Sequence, residues 1–261
     1  MGYTKSMLYL GTSGFSYDDW VGNFYPIGMP RREWLTYYAR EFNACEINST
    51  YYALPKPSSL KAMAEKTGEG FLFSIKANQE MTHKQEDNAP VFKAFCEILE
   101  SVIAAGKLGC VLAQFPYSFG FNRHNLDYLR LVRERLGELP VVIEFRNARW
   151  LRKEVFDWLR QHDLGFCCVD EPQLPNLLPP VAEVTSKIGY VRFHGRNSAK
   201  WWQHEQAYER YDYSYTPQEL SEWLPKIRKL DKIVDKTFVF ANNHWRGQSI
   251  GTIRQLRIML D

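Results

Sequence analysis

The stretch VVIEFR, residues 141–146, decides the fold because it shows both a β-strand and the direction of its side chains. Successive side chains of a strand point to opposite faces. One face carries the large apolar residues Val141, Ile143 and Phe145. The other face carries Glu144 and Arg146 at the end of the run. An apolar face toward helices and a polar inner face are typical of a strand in a β/α barrel.

Short apolar runs of this kind recur along the whole chain. The predicted strands cover residues 7–11, 44–48, 71–77, 110–115, 141–145, 166–170, 189–194 and 237–242. Stretches with a helical apolar period lie between them, at 31–42, 59–66, 91–105, 125–136, 151–162, 218–230 and 250–260. Only the connection between the sixth and seventh strands lacks a predicted helix, and it is rich in proline.

Strands that alternate with helices predict a parallel sheet. Eight such strands in 261 residues favour a closed barrel over an open sheet. No GxGxxG motif follows the first strand, which weakens a dinucleotide-binding interpretation. The predicted fold class is therefore α/β, with a single (β/α)8 TIM-type barrel as one domain over residues 1–261.

Composition and charge exclude several classes of protein. The chain is 45% hydrophobic with a net charge of +3, and it contains no long basic block of the kind that binds nucleic acid. No apolar run reaches the roughly 18 residues of a membrane span. Five cysteines without a CxxC spacing predict reduced thiols in the core. We therefore expect a cytoplasmic protein with no membrane partner, and the sequence leaves its oligomeric state open.

The alternation of faces also predicts where a site would lie. On seven of the predicted strands, polar residues share the inner face and cluster toward the C-terminal end, where barrel sites lie. This inner set comprises Glu46, Asn48, Lys76, Gln114, Glu144, Arg146, Asp170, Arg192, His194, Arg196 and Asn242. The alternative is a structural layer of paired charges that only fills the barrel.

Several longer stretches carry a family resemblance. They are GTSGFSYDDWVGNFYP (11–26), REWLTYYAREFNACEINSTYYALP (32–55), FSIKANQEMTH (73–83), LAQFPYSF (112–119), VVIEFRNARW (141–150), YVRFHGRN (190–197) and FANNHWRGQS (240–249). Together they resemble the YecE-like family, catalogued as domain of unknown function 72. The resemblance implies a (β/α)8 barrel and no assigned activity. Its motif residues coincide with the inner set and add His83 and Asn243.

The charges of this set point to an anionic ligand. Lys76, Arg146, Arg192 and Arg196 would place four cations at one rim, where they suit a carboxylate or a phosphate. Residues 247–250, at the start of the last helix, would add free backbone N–H groups. The remaining candidate substrate contacts are Asn48, His83, Gln114, Trp202, Asn242 and Asn243.

The carboxylates and histidines of the set suggest acid–base chemistry, because neighbouring charges and apolar walls can move their pKa values apart. The candidate catalytic residues are Glu144 first, His194 second, and then Glu46 and Asp170. The leading hypothesis is an enzyme, a hydrolase, lyase or isomerase, that acts on a small anionic, sugar-like or nucleotide-like substrate without a cofactor.

Two other classes of function remain open. The first is a metal-dependent nuclease or a barrel similar to a sugar isomerase, with a divalent ion as cofactor. Its candidate ligands are Glu46, His83, Glu144, Asp170 and His194, but the inner cations would repel an ion. The second is a non-catalytic barrel that binds a ligand or nucleic acid. The aromatic segment 198–216 is interpreted either as a stacking lid or as a packed flap.

Overall fold

The structure, a computed structural model, describes residues 7–261. Eight parallel strands close a barrel in the order β1 to β8, which confirms the predicted fold class. The strands are β1 Met7–Ser13, β2 Ala44–Ile47, β3 Leu72–Lys76, β4 Leu108–Gln114, β5 Val141–Glu144, β6 Leu164–Asp170, β7 Ile188–Phe193 and β8 Lys236–Ala241.

Helices surround the barrel and connect its strands. They are α1 Arg31–Tyr38, α2 Ser49–Tyr52, α3 Pro57–Glu65, α4 Ala89–Ala104, α5 Arg123–Leu136, α6 Lys153–Gln161, α7 Pro217–Ser221, α8 Leu224–Asp231 and α9 Gln248–Leu260. The connection between β6 and β7 contains no helix, as the sequence predicted. A single π-helical turn, Glu80–Lys84, follows β3.

Local chemistry explains where the helices begin and end. The Asn122 side chain caps α5 by accepting a hydrogen bond from the backbone N–H of Asn125 at 2.8 Å. The single helix predicted over 218–230 is in fact two, since α7 ends at Ser221 and α8 begins at Leu224. Pro225 has no N–H to donate to the carbonyl of Ser221, so one continuous helix would lose that bond.

The predicted direction of side chains is wrong on one strand, β6. Paired residues of neighbouring parallel strands point to the same face of the sheet. Asp170 pairs with Phe193 of β7, and Phe166 pairs with Ile143 of β5. Phe193 and Ile143 face the helices. Asp170 therefore faces outward, and the inner position belongs to Glu171 just beyond the strand. The error has a simple cause. FCCV, residues 166–169, is apolar at every position, so no alternation shows which face is which.

A charged layer fills the barrel interior. The Arg192 guanidinium donates from Nε and Nη2 to the two oxygens of Glu46, at 2.9 and 2.6 Å, and from Nη1 to Glu144 Oε2 at 2.6 Å. Tyr190 also donates to Glu46, at 2.7 Å. Arg192 is 1% exposed, and the two carboxylates are fully buried. Glu46, Glu144 and Arg192 thus point inward, as predicted, and their charges are paired with one another.

The structure also bears on two expectations drawn from composition, namely free cysteine thiols and the lack of a membrane span. Cys45, Cys110, Cys167 and Cys168 are buried free thiols, and Cys96 is partly buried and also free. Within residues 7–261, no helix is long and apolar enough to cross a lipid bilayer.

We predict that Arg192→Met lowers the free energy of unfolding by about 3–5 kcal/mol, because it leaves two carboxylates buried without a partner. Urea unfolding followed by circular dichroism measures this change. The matched control is Arg123→Met, which removes an exposed guanidinium 3.7 Å from Asp127 and should change stability little. Equal stability of the two variants would contradict a structural role for the layer.

Candidate functional site

A polar cavity of about 380 Å³ opens at the C-terminal end of the barrel. Among residues 7–261, those that form its walls include lysine, arginine, histidine and aromatic side chains and no carboxylate. The lining residues are Tyr51, Tyr52, Lys76, His83, Gln114, Pro116, Tyr117, Arg146, Leu177, Trp201, Trp202, Arg210 and Tyr211.

Strand ends and the segments that follow them position these side chains. Lys76 and Gln114 are the last residues of β3 and β4. The π-helical turn brings His83 to the wall, and α2 brings Tyr51. After β7 the chain turns away at Gly195, whose φ of 91° favours glycine. Any larger residue would also collide with its neighbour, because a Cβ there would lie 2.7 Å from Tyr213 Cβ.

The charged layer forms the floor beneath the cavity. Arg146 reaches from the wall to the floor, where its Nε lies 2.6 Å from Glu144 Oε1 and its Nη1 lies 3.3 Å from Glu171 Oε2. Burial alone would raise the pKa of Glu144, but the guanidinium groups of Arg146 and Arg192 outweigh it and hold that pKa well below its usual range. Glu144 is therefore a permanent anion whose oxygens are already occupied.

His194 lies in the same floor and is fully buried. Its Nε2 is 3.1 Å from Glu144 Oε1, and its Nδ1 is 3.1 Å from Asn242 Nδ2. Burial and the nearby Arg146 hold the pKa of His194 well below its usual value, so the ring is neutral. A neutral ring donates from Nε2 to the carboxylate and accepts from the amide, which uses both nitrogens.

Lys76 differs from the other inner cations because its amine has no ion-pair partner among residues 7–261. The Nζ atom lies 4.4 Å from the centre of the Tyr51 ring and faces the cavity. Burial and the nearby Arg192 lower the pKa of Lys76 to about 7, although Glu144 and Glu46 oppose the shift. Near neutral pH this amine is therefore divided between its charged and neutral forms.

Arg210 is a second cation in the wall without an ion-pair partner in the described part of the chain. Its guanidinium carbon lies 5.3 Å from the centre of the Trp201 ring, and that of Arg146 lies 5.7 Å from the same ring. The Nε of Arg210 is buried without a hydrogen-bond partner. Trp201 is itself buried and holds the two guanidinium groups close to one wall.

His83 completes the polar wall. Its Nδ1 lies 2.9 Å from Thr82 Oγ1, so Nε2 is the nitrogen left for a ligand. Burial and the nearby Lys76 lower the pKa of His83 to about 4. The imidazole is consequently neutral at pH 7 and packs edge-on against Tyr51, at 5.1 Å between ring centres.

The sequence matches the family described as "Protein of unknown function DUF72" over residues 9–261. The chain belongs to the DUF72 family. The UPF0759 protein YunF of Bacillus subtilis is 29% identical over 98% of this chain and 95% of its own length. The UPF0759 protein YecE of Escherichia coli K12 is 36% identical over 56% of this chain and 51% of its own length.

Solved structures of DUF72 family proteins share the barrel. The crystal structure of the Thermotoga maritima protein has a TM-score of 0.90 at 38% identity and covers 97% of this chain and 99% of its own. That of the Enterococcus faecalis protein has a TM-score of 0.87 at 27% identity, with 97% and 95% covered. These similarities confirm the family resemblance that the sequence motifs indicated.

The residues predicted for the site fall into three places in this DUF72 barrel. Those in the cavity wall are Lys76, His83, Gln114, Arg146 and Trp202, of which Trp202 is half exposed at the rim. Those in the floor are Glu46, Glu144, Arg192, His194 and Asn242. Those outside the wall and floor are Asn48, Asp170, Arg196 and Asn243.

Asp170, Arg196 and Asn243 make structural contacts. Asp170 accepts hydrogen bonds from Tyr215, Trp223 and Arg196, at 2.6, 2.7 and 2.7 Å. These bonds fasten the segment after β7 to the helix layer. Asn243 donates to Tyr213 O at 2.8 Å, on the helix side of β8. Asn48 precedes α2, and residues 247–250 do not line the cavity, so the anion site predicted there lies away from it.

The geometry does not fit a resident metal ion. Two of the candidate ligands, Glu46 and Glu144, are bound to the same guanidinium, that of Arg192. Asp170 faces the helices, and His83 stands in a wall of cations. Among residues 7–261, no three histidine, cysteine, aspartate or glutamate side chains form a group that could hold a metal.

Sequence reasoning missed Glu171, Arg210 and Tyr51 as parts of the site. A correct register on β6 would have found Glu171, whose burial raises its pKa to about 7 and whose Oε1 accepts from Leu178 N at 3.0 Å. Arg210 lies on a five-residue 3-10 helix, Ala207–Tyr211, that is too short to show a period. Tyr51 lies on a four-residue helix too short to show one.

Placing a charged Lys76 in the folded protein lowers its stability, and this cost depends on pH. We predict that Lys76→Met removes it. The folded pKa of about 7 lies below the usual value of 10.5, so the unfolded chain binds more protons between these limits. The penalty is complete below pH 7 and fades as the pH rises. The stability of the wild type relative to Lys76→Met should therefore rise with a limiting slope of about 1.4 kcal/mol per pH unit.

Urea unfolding of both proteins at several pH values between about 7 and 9 measures this slope. Subtracting the free energy of unfolding of Lys76→Met from that of the wild type removes the contributions of the other groups that titrate in this range. A difference that stays constant with pH would mean that the folded protein leaves the pKa of Lys76 at its usual value.

Proposed function

We propose that this protein is an enzyme that binds a small anionic substrate in the cavity and transforms it by proton transfer at the wall. The observation that carries the proposal is the pair of cations Lys76 and Arg210, which face one cavity without an ion-pair partner among the described residues. Both side chains are partly buried, and cations withdrawn from water are ordinarily paired, so a cavity lined by two unpaired ones favours an anionic occupant.

Hydrogen-bonding geometry supports a carboxylate or a phosphate as the anionic group. Arg210 and Arg146 stand against the same indole ring of Trp201. A planar guanidinium can donate two parallel hydrogen bonds to such groups. Gln114 adds an amide at the wall, and Tyr117 and Trp202 add aromatic surface at the rim. A polar ligand with one anionic end and a compact body suits this lining.

The size of the cavity supports a small molecule. About 380 Å³ lies within the range of roughly 300–1,000 Å³ that is typical of small-molecule sites. Trp201 is buried and Trp202 is half exposed, so the segment after β7 covers one side of the cavity. Nucleic acid, which needs an open groove, is the less favoured partner.

The groups best placed for proton transfer are His83 and Lys76. Both line the cavity and both contact Tyr51, at 5.1 and 4.4 Å. The amine, with a pKa of about 7, is matched to proton transfer near neutral pH, and the neutral imidazole offers the lone pair of Nε2. In this proposal Glu144 and His194 are positioning residues, because their polar atoms are occupied by Arg192, Arg146 and Asn242.

The second candidate function is a barrel that binds the anion without transforming it. It is favoured by the absence of a free carboxylate from the described wall. Location in the cytoplasm belongs to the same proposal, and the five free thiols support it.

We predict that Arg210→Gln weakens the binding of phosphorylated and carboxylated compounds by about tenfold to a hundredfold, the loss of one charge-assisted hydrogen bond. Arg210 makes no ion pair in the described chain, so the variant should keep its fold. A thermal-shift screen against sugar phosphates, nucleotides and organic acids identifies the binders, and calorimetry gives their affinities.

The control for this experiment is Arg123→Gln, the same substitution at an exposed position on α5. It should leave affinity unchanged. An equal loss in both variants would indicate a nonspecific effect of net charge, and no binding of any anion by the wild type would overturn the proposal.

A further inference from the structure

We propose that Lys76 forms a covalent iminium bond with the carbonyl carbon of a small anionic aldehyde or ketone bound in the cavity. This inference rests on the proposed function, because it places the substrate in the same cationic cavity. It adds the reactive group of the substrate and the atom that bonds to it.

The position of the amine is the first support. Lys76 ends a barrel strand, so its backbone is fixed in the sheet and its Nζ faces the cavity beside Tyr51. Lys107, by contrast, donates to Ala64 O at 2.6 Å and to Thr67 Oγ1 at 2.7 Å. Its amine is occupied, whereas the amine of Lys76 has no acceptor among the described residues and is free to attack a ligand.

The protonation state of the amine is the second support. Only a neutral amine has the lone pair that attacks a carbonyl, and desolvation or a neighbouring cation makes a lysine neutral. Both causes act on Lys76, where burial and Arg192 bring the pKa to about 7. About half of the amine is then neutral at pH 7, against less than about 0.1% for an ordinary lysine.

The step balances without a redox partner. The Nζ lone pair forms a C–N bond while the carbonyl π electrons move to oxygen, which takes a proton. Nitrogen gives up one proton, and the resulting carbinolamine loses its oxygen as water after a second protonation. The nitrogen lone pair then completes a C=N⁺ bond, so an amine, a carbonyl and one proton yield an iminium ion and water.

The surroundings of Lys76 suit this product. The iminium keeps the positive charge beside the face of Tyr51, which attracts a cation. Arg210 and Arg146 would hold the carboxylate or phosphate of the substrate at the wall. His83 Nε2 is left to accept a proton from the carbon next to the iminium, where the electron-poor C=N⁺ bond makes that proton acidic.

Borohydride trapping tests the inference. The wild type is incubated with pyruvate or dihydroxyacetone phosphate and treated with sodium borohydride, which reduces an iminium to a stable secondary amine. Mass spectrometry of the intact protein and its peptides locates the adduct. We expect at least about tenfold more adduct at Lys76 than at Lys107 or the exposed Lys84, because of the three only Lys76 lines the cavity that would bind the anionic probe.

Two matched comparisons separate covalent chemistry from binding. Lactate and glycerol 3-phosphate carry the same anionic groups without a carbonyl, so they should shift the melting temperature and form no adduct. Lys76→Arg removes the amine that would form the iminium, so it should lose trapping, while its melting transition without ligand shows that it is folded. Lys84→Arg should keep both trapping and fold.

Each outcome decides between the two proposals. Thermal shifts with lactate or glycerol 3-phosphate but no adduct with either carbonyl probe would overturn the iminium and leave the anion site standing. Adducts of similar yield at Lys76, Lys84 and Lys107 would also overturn it, as nonspecific labelling. No shift and no adduct would overturn both proposals.

Discussion

The contact of one guanidinium with two carboxylates organises the centre of this barrel. Arg192 reaches inward from β7 and bonds to Glu46 on β2 and Glu144 on β5, which joins strands from opposite sides of the barrel. All three groups are buried, so each depends on the others for its charge to be compensated. Arg146 extends the network from Glu144 to Glu171 and reaches the cavity above.

The chemistry of the cavity follows from this arrangement. Glu46, Glu144 and Glu171 bind Arg192 and Arg146 in the floor, and none of them forms an ion pair with Lys76 or Arg210 in the wall. The charges of the floor are therefore paired with one another, and the groups that we propose to be reactive belong to the wall. This division moves the proposed proton transfer from the carboxylates that sequence analysis favoured to Lys76 and His83.

The sequence predicted the fold and part of the site for reasons visible in particular residues. VVIEFR alternates clearly, so the inner positions of Glu144 and Arg146 were predicted correctly, whereas the uniformly apolar FCCV hid the direction of Asp170. Periodicity cannot say which inner charges bond to one another, because that depends on the register of strands distant in sequence. It also cannot place Arg210, which lies on a five-residue 3-10 helix and not on a strand or a long helix.

The most direct test of the central claim, that the floor leaves Lys76 as an uncompensated amine, is an NMR titration of its side chain. Protein with ¹³C-labelled lysine shows the Cε resonance of Lys76, which Lys76→Arg assigns by its disappearance. We expect a titration midpoint near pH 7 without ligand, and a higher midpoint when inorganic phosphate occupies the cavity. A midpoint near 10.4, the value of an ordinary exposed lysine, would contradict it.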